Sequence, residues 1–303
     1  MNLHDKRIAV TGASGMLGVY LARALIAAGA CVRGVVRNPK KAAFLEREGV
    51  EFATADLDDR ESLREAFRGC DAIVSNAALY SVKNSRWQDH YKANKEGTEN
   101  VYEAAASAAV PRVVQISTFG VYRWHLGAPA IDDDSPLIDG ERKQGGAYRA
   151  TKQISEALAF SISRKHGIAT TALRPAGIYG ARDSNLMPYI RGMLRFPLLP
   201  IPRFRFPFVY AGDVADAMVG ALRNDASRDH AYLIAGRSDT LFDFVAACKQ
   251  AEQKKTWLVP IPIGGGFRID TSRAEREIGF KNRSYLDGLR DTFEADRRHR
   301  DSA

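Results

Sequence analysis

Short apolar runs alternate with longer amphipathic stretches through the first two thirds of the chain. The apolar runs, bounded by glycine and polar residues, predict strands at 7–11, 31–36, 50–53, 71–75, 111–117 and 168–173. Apolar positions at helical spacing predict helices at 16–28, 39–48, 60–68, 90–109 and 147–166. Because strands joined by crossovers of this length form parallel sheets covered on both faces, the pattern predicts an α/β fold with a doubly wound parallel sheet.

A glycine-rich segment follows the first predicted strand directly. Its sequence, VTGASGMLG over residues 10–18, places Gly12, Gly15 and Gly18 between that strand and the first helix. Glycines let backbone N–H groups approach a pyrophosphate, and the N-terminus of the following helix favours its negative charge. The segment therefore predicts a dinucleotide site at the carboxyl end of the sheet, where ligands of such folds bind. The alternative is a plain turn.

The end of the second strand carries the residues that would select the cofactor. Folds that bind NAD often place Asp or Glu here to hold the adenosine ribose, whereas this chain has Arg37. A guanidinium can hold a 2′-phosphate at this position, and Lys40 and Lys41 add positive charge nearby. Asn38 is a candidate N-cap, and Pro39 suits a first helical turn. We therefore expect NADP, with NAD left open; the alternative is a solvated basic helix start.

The ends of the third and fourth strands complete the predicted cofactor pocket. Asp56 can accept the amino hydrogens of adenine while Leu57 covers the ring. Asp56 would otherwise cap the next helix, but Asp58 or Asp59 suits that position better. The small side chains at 76–78 would let the backbone run close to a ligand.

A tyrosine and a lysine one helical turn apart provide the candidate chemistry. Tyr148 and Lys152 share a face of the predicted helix 147–166, and Thr118 lies at the end of the fifth strand. An ammonium beside a phenol favours phenolate, so we expect the pKa of Tyr148 to fall below its usual value of about 10. Such a group exchanges protons with a substrate that interconverts between alcohol and carbonyl. The alternative is a surface Tyr and Lys on an amphipathic helix.

Two further features border the predicted site. Asn94 lies inside the predicted helix 90–109, where its polar side chain must be hydrogen-bonded. It would brace the active-site backbone, hold a water or serve packing alone. The long loop 123–146 joins Thr118 to Tyr148, so it should border the substrate. We expect its acidic run, residues 132–134, to be solvated rather than a metal site.

Composition narrows the classes of function. The chain has 303 residues, is 45% hydrophobic and carries a net charge of +8. Its cysteines, Cys31, Cys70 and Cys248, and its dispersed histidines have no metal-ligand spacing, so we expect no metal. Since no apolar run could span a bilayer and no apolar leader precedes the first strand, we expect a cytoplasmic protein without a membrane partner. No nucleic-acid module is recognisable, and an anionic cofactor or substrate accounts for part of the basic charge.

Taken together, these motifs resemble the extended short-chain dehydrogenases/reductases, the NAD(P)-dependent epimerase/dehydratase family. The matching segments, in family order, are TGASGMLG at 11–18, Asp56-Leu57, Asn76-Ala77-Ala78, Asn94 with Gly97-Thr98, Ser117-Thr118, Tyr148 with Lys152, LRPAGIYG at 173–180 and FVYAGDVA at 208–215. The resemblance implies a Rossmann doubly wound parallel sheet with a smaller C-terminal substrate lobe. We expect the NAD(P)-binding part to comprise 1–180 and 208–235, and the lobe 181–207 and 236–303.

The resemblance also implies a role for each site residue. Tyr148 would be the proton donor or acceptor, Lys152 would hold the nicotinamide ribose hydroxyls, and Thr118 would take the family's catalytic Ser/Thr position. Ser117 is the second choice for that position. The residues expected to hold the cofactor, the last two beside the nicotinamide, are Gly12, Ser14, Gly15, Met16, Leu17, Arg37, Asp56, Leu57, Asn76, Ala77, Ala78, Ser117, Tyr148, Lys152, Pro175 and Ile178.

Departures from the family pattern narrow the subfamily. Sugar 4,6-dehydratases carry an Asp-Glu pair after the catalytic Thr, where this chain has Phe119-Gly120. The run Arg37-Asn38-Pro39 resembles NADP-using reductases related to dihydroflavonol reductases and 3β-hydroxysteroid dehydrogenases. Residues 184–190 either resemble a stretch of UDP-galactose 4-epimerases that borders the nucleotide sugar or form an ordinary capped helix.

Three hypotheses of function follow. The first is an NADP-dependent oxidoreductase that interconverts a ketone or aldehyde and an alcohol by hydride transfer, with Tyr148 as acid/base. The second is a UDP-sugar 4-epimerase with tightly bound NAD(P) and no net redox change. The third is a non-catalytic nucleotide-sensing protein, which an intact Tyr148–Lys152 pair disfavours. The partner is a small-molecule substrate, and a homodimer is left open.

Overall fold

The computed structural model describes residues 1–80, 86–124, 130–236 and 239–301, with side chains described up to residue 297. The strands are β1 (Arg7–Thr11), β2 (Cys31–Val36), β3 (Glu51–Thr54), β4 (Ala72–Ser75), β5 (Arg112–Ile116), β6 (Ala169–Pro175), β7 (Gly177–Tyr179), β8 (Leu198–Pro202), β9 (Phe208–Tyr210), β10 (His230–Ile234) and β11 (Trp257–Ile261). The helices are α1 (Met16–Ala27), α2 (Ala43–Arg47), α3 (Arg60–Phe67), α4 (Trp87–His90), α5 (Gly97–Ser107), α6 (Gly146–His166), α7 (Leu186–Met193), α8 (Ala211–Arg223), α9 (Leu241–Ala251), α10 (Ser272–Ile278) and α11 (Tyr285–Asp301).

Seven parallel strands form the central sheet, in the order β10-β6-β5-β4-β1-β2-β3. The order reverses direction at β1, so the loops after β1 and β4 diverge there and leave a crevice at the carboxyl edge. The predicted doubly wound Rossmann sheet is confirmed, and all six predicted strands are present within two residues of their expected bounds.

Helices cover both faces of this sheet. On one face, apolar side chains of α1, α2, α8 and α10 share a core with β1 and β2, including Leu21, Leu45 and Ala217. On the other face, α3, α5 and α6 form a second core around Phe67 and Tyr102. Both faces of the sheet are therefore buried from solvent. This explains why the strand sequences are nearly continuous apolar runs.

Two predicted helices differ from the observed ones. The helix expected at 90–109 begins at Trp87, and a π-helical segment (Tyr91–Glu96) joins α4 to α5. The helix expected at 39–48 starts as a 3-10 turn (Pro39–Ala42) before α2. Asn38 accepts a hydrogen bond from the backbone N–H of Lys40 and so caps this turn, which confirms the predicted N-cap.

A smaller set of elements packs beside the sheet. β8 pairs with β11, β7 pairs with β9, and α7, α9 and α11 surround a separate apolar cluster. That cluster includes Tyr179, Ile190, Phe208, Phe244 and Leu289. α10 instead packs beside the central sheet, where it contacts α8 and β10. Among the described residues, no helix has both the length and the apolar character needed to cross a membrane.

Candidate active site

The glycine-rich turn after β1 brings two strand ends into close contact. Gly12 has a φ of +67°, and a Cβ atom there would lie 3.1 Å from the Cα of Ala77. A Cβ on Gly18 would lie 2.2 Å from the Gly12 carbonyl oxygen, so only glycine allows α1 to start this close to β1. Among the described residues no side chain caps α1 at Gly15, and the first turn holds no acidic residue. The start of α1 can therefore receive an anion.

Thr11 fastens β1 to the segment after β4. Its hydroxyl is buried and accepts hydrogen bonds from the backbone N–H groups of Asn76 (2.9 Å) and Ala77 (3.0 Å). The Asn76 amide in turn donates to the Thr11 carbonyl oxygen at 3.3 Å. We assigned no role to Thr11 from the sequence, although its position before Gly12 is a signal for such a contact.

A cavity of about 560 Å³ opens at this crevice. The predicted cofactor residues that line it are Gly12, Ser14, Gly15, Arg37, Asp56, Leu57, Asn76, Ala77 and Ala78. Met16 and Leu17 begin α1 beside it, with Leu17 buried in the core. Lining residues that sequence reasoning did not assign include Val36, Ala55, Asp58, Leu79, Asp89 and Lys92. The cavity thus unites the ends of β1 to β4.

Arg37 extends into the part of this cavity that follows β2. It is exposed, and within the described chain no hydrogen bond or ion pair engages it. By contrast, Lys92 on the facing π-helical segment pairs with Asp58 at 2.6 Å. Arg37 is therefore a cation at the cavity wall that no described residue pairs with.

The predicted adenine end lies opposite, after β3. Asp59 caps α3 by accepting from the N–H groups of Glu61 and Ser62, both at 3.1 Å, as the sequence indicated. Asp56 therefore does not cap the helix, and its carboxylate lines the cavity. Leu57 lies against α5 at Gly97, where a Cβ would approach its Cδ1 to 3.0 Å.

The candidate catalytic residues converge where β5 ends. The Thr118 hydroxyl accepts from the backbone N–H of Gly120 at 3.1 Å and lies near enough to Tyr148 to lower the pKa of its phenol. Lys152 is buried one turn further along α6, and its Nζ donates to the Ile116 carbonyl oxygen at 2.8 Å. The Tyr148 ring meets the Tyr80 ring edge to face at 5.0 Å between centroids. The i, i+4 spacing on α6 and the strand end thus bring the three predicted residues together.

The pKa of Tyr148 was predicted in the wrong direction. Burial raises it to about 12, although the nearby Thr118 hydroxyl acts against that rise. Burial also lowers the pKa of Lys152 to about 8, while the nearby Glu156 carboxylate partly opposes this. Sequence spacing identified the pair, but it could not reveal that the surrounding protein disfavours charge on both groups.

Asn94 explains the π-helical segment beside this cluster. Its Oδ1 accepts from the backbone N–H of Leu79 at 2.7 Å, and its Nδ2 donates to the Leu79 carbonyl oxygen at 3.3 Å and to Thr151 Oγ1 at 3.1 Å. The side chain thus ties the segment after β4 to α6. Among the alternatives left open, these contacts favour bracing of the backbone.

Sequence reasoning missed a buried ion pair behind Lys152. Glu156 lies one turn after Lys152 on α6 and pairs with Arg174 of β6 at 2.6 Å, with both side chains less than a tenth exposed. Arg174 also donates to the Tyr122 hydroxyl and to the Asp133 carbonyl oxygen, both at 3.0 Å. The sequence signal that could have revealed this ion pair was a charged residue, Glu156, on the buried face of α6.

The loop between Thr118 and Tyr148 is anchored from several sides. Arg149 donates to the carbonyl oxygens of Gly120 (2.7 Å) and Tyr122 (2.9 Å). Asp133, expected to be solvated, is buried, and its carboxylate accepts from the backbone N–H of Leu233. The expectation was wrong for Asp133 because a backbone N–H group of β10 needs a hydrogen-bond acceptor there. Asp134, by contrast, is exposed and pairs with Arg273 at 3.2 Å. Residues 125–129 of the loop lie outside the described residues.

Ser117, Pro175 and Ile178 complete the predicted set. Ser117 is buried after β5, and among the described residues its hydroxyl has no hydrogen-bond partner. Pro175 ends β6 and Ile178 lies in β7, next to the central core. An unpaired buried hydroxyl near the cavity and a turn that only glycines can form both fit a bound dinucleotide.

Residues 184–190 lead into α7, which begins at Leu186. The Asp183 carboxylate accepts from the N–H groups of residues 185, 186 and 187. Met187 and Ile190 are buried in the cluster of the smaller part. These contacts favour the plain helix among the two alternatives drawn from the sequence.

Comparison with known proteins agrees with this geometry. The profile of the NAD dependent epimerase/dehydratase family matches residues 8–235. A ketoreductase of Stigmatella aurantiaca that acts on 4-hydroxy-2-methyl-3-oxo-4-farnesyl-3,4-dihydroquinoline-1-oxide is 30% identical over 85% of this chain and 76% of its own length. Sterol demethylase protein B of Methylococcus capsulatus is 32% identical over 77% of this chain and 70% of its own.

Solved structures show the same fold at lower identity. A UDP-glucose-4-epimerase from Stenotrophomonas maltophila superposes with a TM-score of 0.84 and 22% identity over 98% of this chain and 100% of that one. This similarity concerns architecture alone. The family match and the two relatives show that the chain belongs to the NAD dependent epimerase/dehydratase family and is an NAD(P)-dependent oxidoreductase of the extended short-chain dehydrogenase/reductase type.

Proposed function

We propose that the protein is an NADP-dependent reductase that converts a ketone or aldehyde into an alcohol, with Tyr148 as the proton donor. The observation that carries this proposal is that Thr118, Tyr148 and Lys152 lie together at the carboxyl edge of the sheet that also forms the dinucleotide cavity. When bound, the nicotinamide supplies the hydride. The chain itself supplies orientation and the proton.

Thr118 and Tyr148 would hold the substrate oxygen between two hydroxyl groups. Because burial raises the pKa of Tyr148 to about 12, its phenol is protonated at neutral pH and can donate to an oxygen that becomes more basic during reduction. Lys152, held by the Ile116 carbonyl oxygen, would bind the nicotinamide ribose. Ser117 and the segment at Asn76–Ala78 would hold the same half of the cofactor.

The preference for NADP rests on Arg37. An exposed guanidinium without an internal partner can hold the 2′-phosphate through charge-assisted hydrogen bonds. Lys40 and Lys41 follow Arg37 in the 3-10 turn that Asn38 caps, and their charge adds positive potential beside it. Asp56 and Leu57 would hold the adenine at the far side of the cavity.

We favour an apolar carbonyl compound as substrate over a nucleotide sugar because an aromatic cluster adjoins Thr118. Phe119 follows Thr118 directly and packs edge to face against Phe267 at 5.5 Å, while Trp124 lies 4.7 Å from the same ring. Phe204 and Phe206 are partly buried and pack against the same aromatic cluster. UDP-sugar 4-epimerase activity stays the alternative hypothesis. We further propose that 181–207 and 236–303 form the substrate lobe, that 1–180 and 208–235 bind the cofactor, and that the protein acts in the cytoplasm.

Consumption of the cofactor tests the proposal. The protein is incubated with NADPH and a panel of steroid, flavonoid and aldehyde carbonyl compounds, and with UDP-sugars. We expect stoichiometric NADPH oxidation with at least one carbonyl compound and none with UDP-sugars. Epimerised UDP-sugar without cofactor consumption would establish the alternative. Absence of both reactions, with cofactor bound, would leave the nucleotide-sensing hypothesis.

A further inference from the structure

The small sheet formed by β8 and β11 has apolar side chains on both faces. Its inner face packs into the apolar cluster of the smaller part through Ile201, Leu199 and Leu258. On its outer face, Leu198 lies opposite Trp257 in the parallel register, and these side chains are 57% and 76% exposed. Parallel strands are normally covered on both faces, but no element within the described part of the chain covers this outer face.

The outer face continues beyond this first pair. Pro200 lies opposite Val259, which is 41% exposed, and Phe196, just before β8, is 62% exposed. We call Phe196, Leu198, Pro200, Trp257 and Val259 the apolar face. Two large aromatic rings and three smaller apolar side chains thus share one exposed surface of the smaller part.

The chain around the apolar face is uniformly basic. The two stretches that build it, 194–207 and 253–269, contain no Asp or Glu. Their basic residues, all exposed, are Arg195, Arg203, Arg205, Lys254, Lys255 and Arg268. Hydrogen bonds from Thr256 Oγ1 to the Leu194 carbonyl oxygen (2.7 Å) and from the Trp257 N–H to the Pro197 carbonyl oxygen (2.8 Å) hold the stretches together.

Nearby acidic residues offset this charge only in part, because the six basic residues outnumber them. Glu252 and Asp296 both pair with Arg191, at 2.5 and 2.9 Å. Asp243 is engaged in a capping box with Thr240 at the start of α9. A cavity of about 720 Å³ beside Trp257 is lined by Phe242, Lys249, Lys254, Lys255 and Leu258. It combines ammonium groups with apolar walls, which suits a phosphate headgroup and the first carbons of its chains.

We propose that the apolar face docks the protein on the surface of an anionic phospholipid bilayer. Trp257 and Phe196 would enter the interface, where amphipathic aromatic rings are favoured. The surrounding Lys and Arg side chains would contact anionic headgroups, each adding attraction. This attachment needs no membrane-spanning helix, and it revises the expectation of a protein without a membrane partner.

Charge favours an anionic bilayer over a second copy of the chain as the partner of the apolar face. In a symmetric dimer formed through the apolar face, the basic residues around this face in one copy would lie against the same residues of the other copy. Their like charges would repel. An anionic bilayer has the opposite charge over its whole surface. The proposal goes beyond the reductase activity and is independent of it, because its test measures binding rather than turnover.

Vesicle flotation of the full chain tests the proposal. Binding is measured with vesicles of 30% phosphatidylglycerol in phosphatidylcholine and with vesicles of phosphatidylcholine alone. We expect binding to the anionic vesicles only. Lys254→Ala/Lys255→Ala should lower the partition coefficient about 30-fold, because each surface Lys contributes about fivefold. Arg164→Ala/Lys165→Ala, which removes the same charge at the exposed end of α6, should leave it within about twofold.

Trp257→Ser examines the apolar contribution. We expect about a tenfold loss of vesicle binding and, in the wild type alone, a blue shift of tryptophan emission on adding anionic vesicles. Equal binding to neutral vesicles, equal losses in the Lys254/Lys255 and Arg164/Lys165 variants, or no binding at all would overturn the proposal. Concentration-dependent dimerisation that Trp257→Ser abolishes, without vesicle binding, would overturn it too and assign the apolar face to a second copy.

Discussion

Replacing Arg37 with serine tests whether this side chain selects the cofactor. Arg37 is exposed and engages no partner within the described chain, so its removal breaks no contact inside the protein. A hydrogen bond to a charged group contributes about 1.5–3 kcal/mol, and the exposure of Arg37 favours the lower end. Since about 1.4 kcal/mol is a factor of ten, Arg37→Ser should raise the Kd for NADPH about tenfold and leave that for NADH unchanged.

Arg37→Asp should weaken NADPH binding more than Arg37→Ser does, and it should also strengthen NADH binding. A carboxylate beside the 2′-phosphate adds repulsion of about 1 kcal/mol at 4 Å in water and about 4 kcal/mol at an effective dielectric constant of 20. We therefore expect at least about a further fivefold loss of NADPH affinity. The same carboxylate can accept a hydrogen bond from an unmodified ribose, so NADH binding should improve.

Nicotinamide fluorescence in a titration with NADPH and with NADH measures both dissociation constants. Arg47→Ser is the matched control, because Arg47 is exposed on α2 and does not line the cavity, yet its loss removes the same charge. It should change neither constant more than about twofold, since exposed charges are screened. Equal losses for NADPH and NADH in Arg37→Ser, or the same loss in Arg47→Ser, would refute the assignment of Arg37 to the 2′-phosphate.

Three further outcomes follow from the same geometry. Tyr148→Phe should lower kcat of NADPH-dependent reduction at least about 100-fold, since general acids contribute about 10²–10⁴-fold, with the NADPH Kd within about twofold; retained turnover would contradict the role of Tyr148. Glu156→Gln leaves Arg174 buried without its counter-charge and should lower the free energy of unfolding in urea by about 3 kcal/mol. Glu61→Gln, in an exposed pair with Arg64, should cost less than about 1 kcal/mol, and equal losses would contradict the buried-pair argument. Burial raises the pKa of Asp133 to about 6, so the folded chain binds this proton more tightly and the contribution of Asp133 to stability falls as pH rises from about 4 to about 6. Relative to wild type, Asp133→Asn should therefore gain up to about 3 kcal/mol between pH 4 and pH 7, and a constant difference would show that Asp133 does not titrate there.

Local patterns were sufficient for the parts of the site that depend on strand ends and helical spacing. Alternation of apolar runs and amphipathic stretches predicted the parallel sheet, and the carboxyl ends of β1 to β4 then had to share one edge. That alone brought Gly12, Arg37, Asp56 and Asn76 to one cavity. Tyr148 and Lys152 needed only the i, i+4 rule.

Features that depend on the surroundings of a side chain were not predictable in this way. The partner of Glu156 is 18 residues away on another element, and no spacing rule connects α6 to Arg174. The rise in the pKa of Tyr148 comes from burial, which a spacing pattern does not contain. Asp133 was expected to be solvated because it lies in an acidic run, yet its carboxylate is buried and accepts from the backbone N–H of Leu233 on β10.

The π-helical segment between α4 and α5 constrains how this region of the chain can vary. Each residue of an α-helix turns the chain by about 100°, and the wider π turn takes up one residue more. His90, whose ring lies 6.1 Å from that of Tyr148, and Asn94 therefore keep their directions only while the number of residues in Tyr91–Glu96 is preserved. Deleting one residue would restore a regular helix and rotate α4 relative to α5. In this stretch the number of residues matters more than their identity. Substitutions at its exposed positions are therefore tolerable, whereas insertion or deletion of one residue is not.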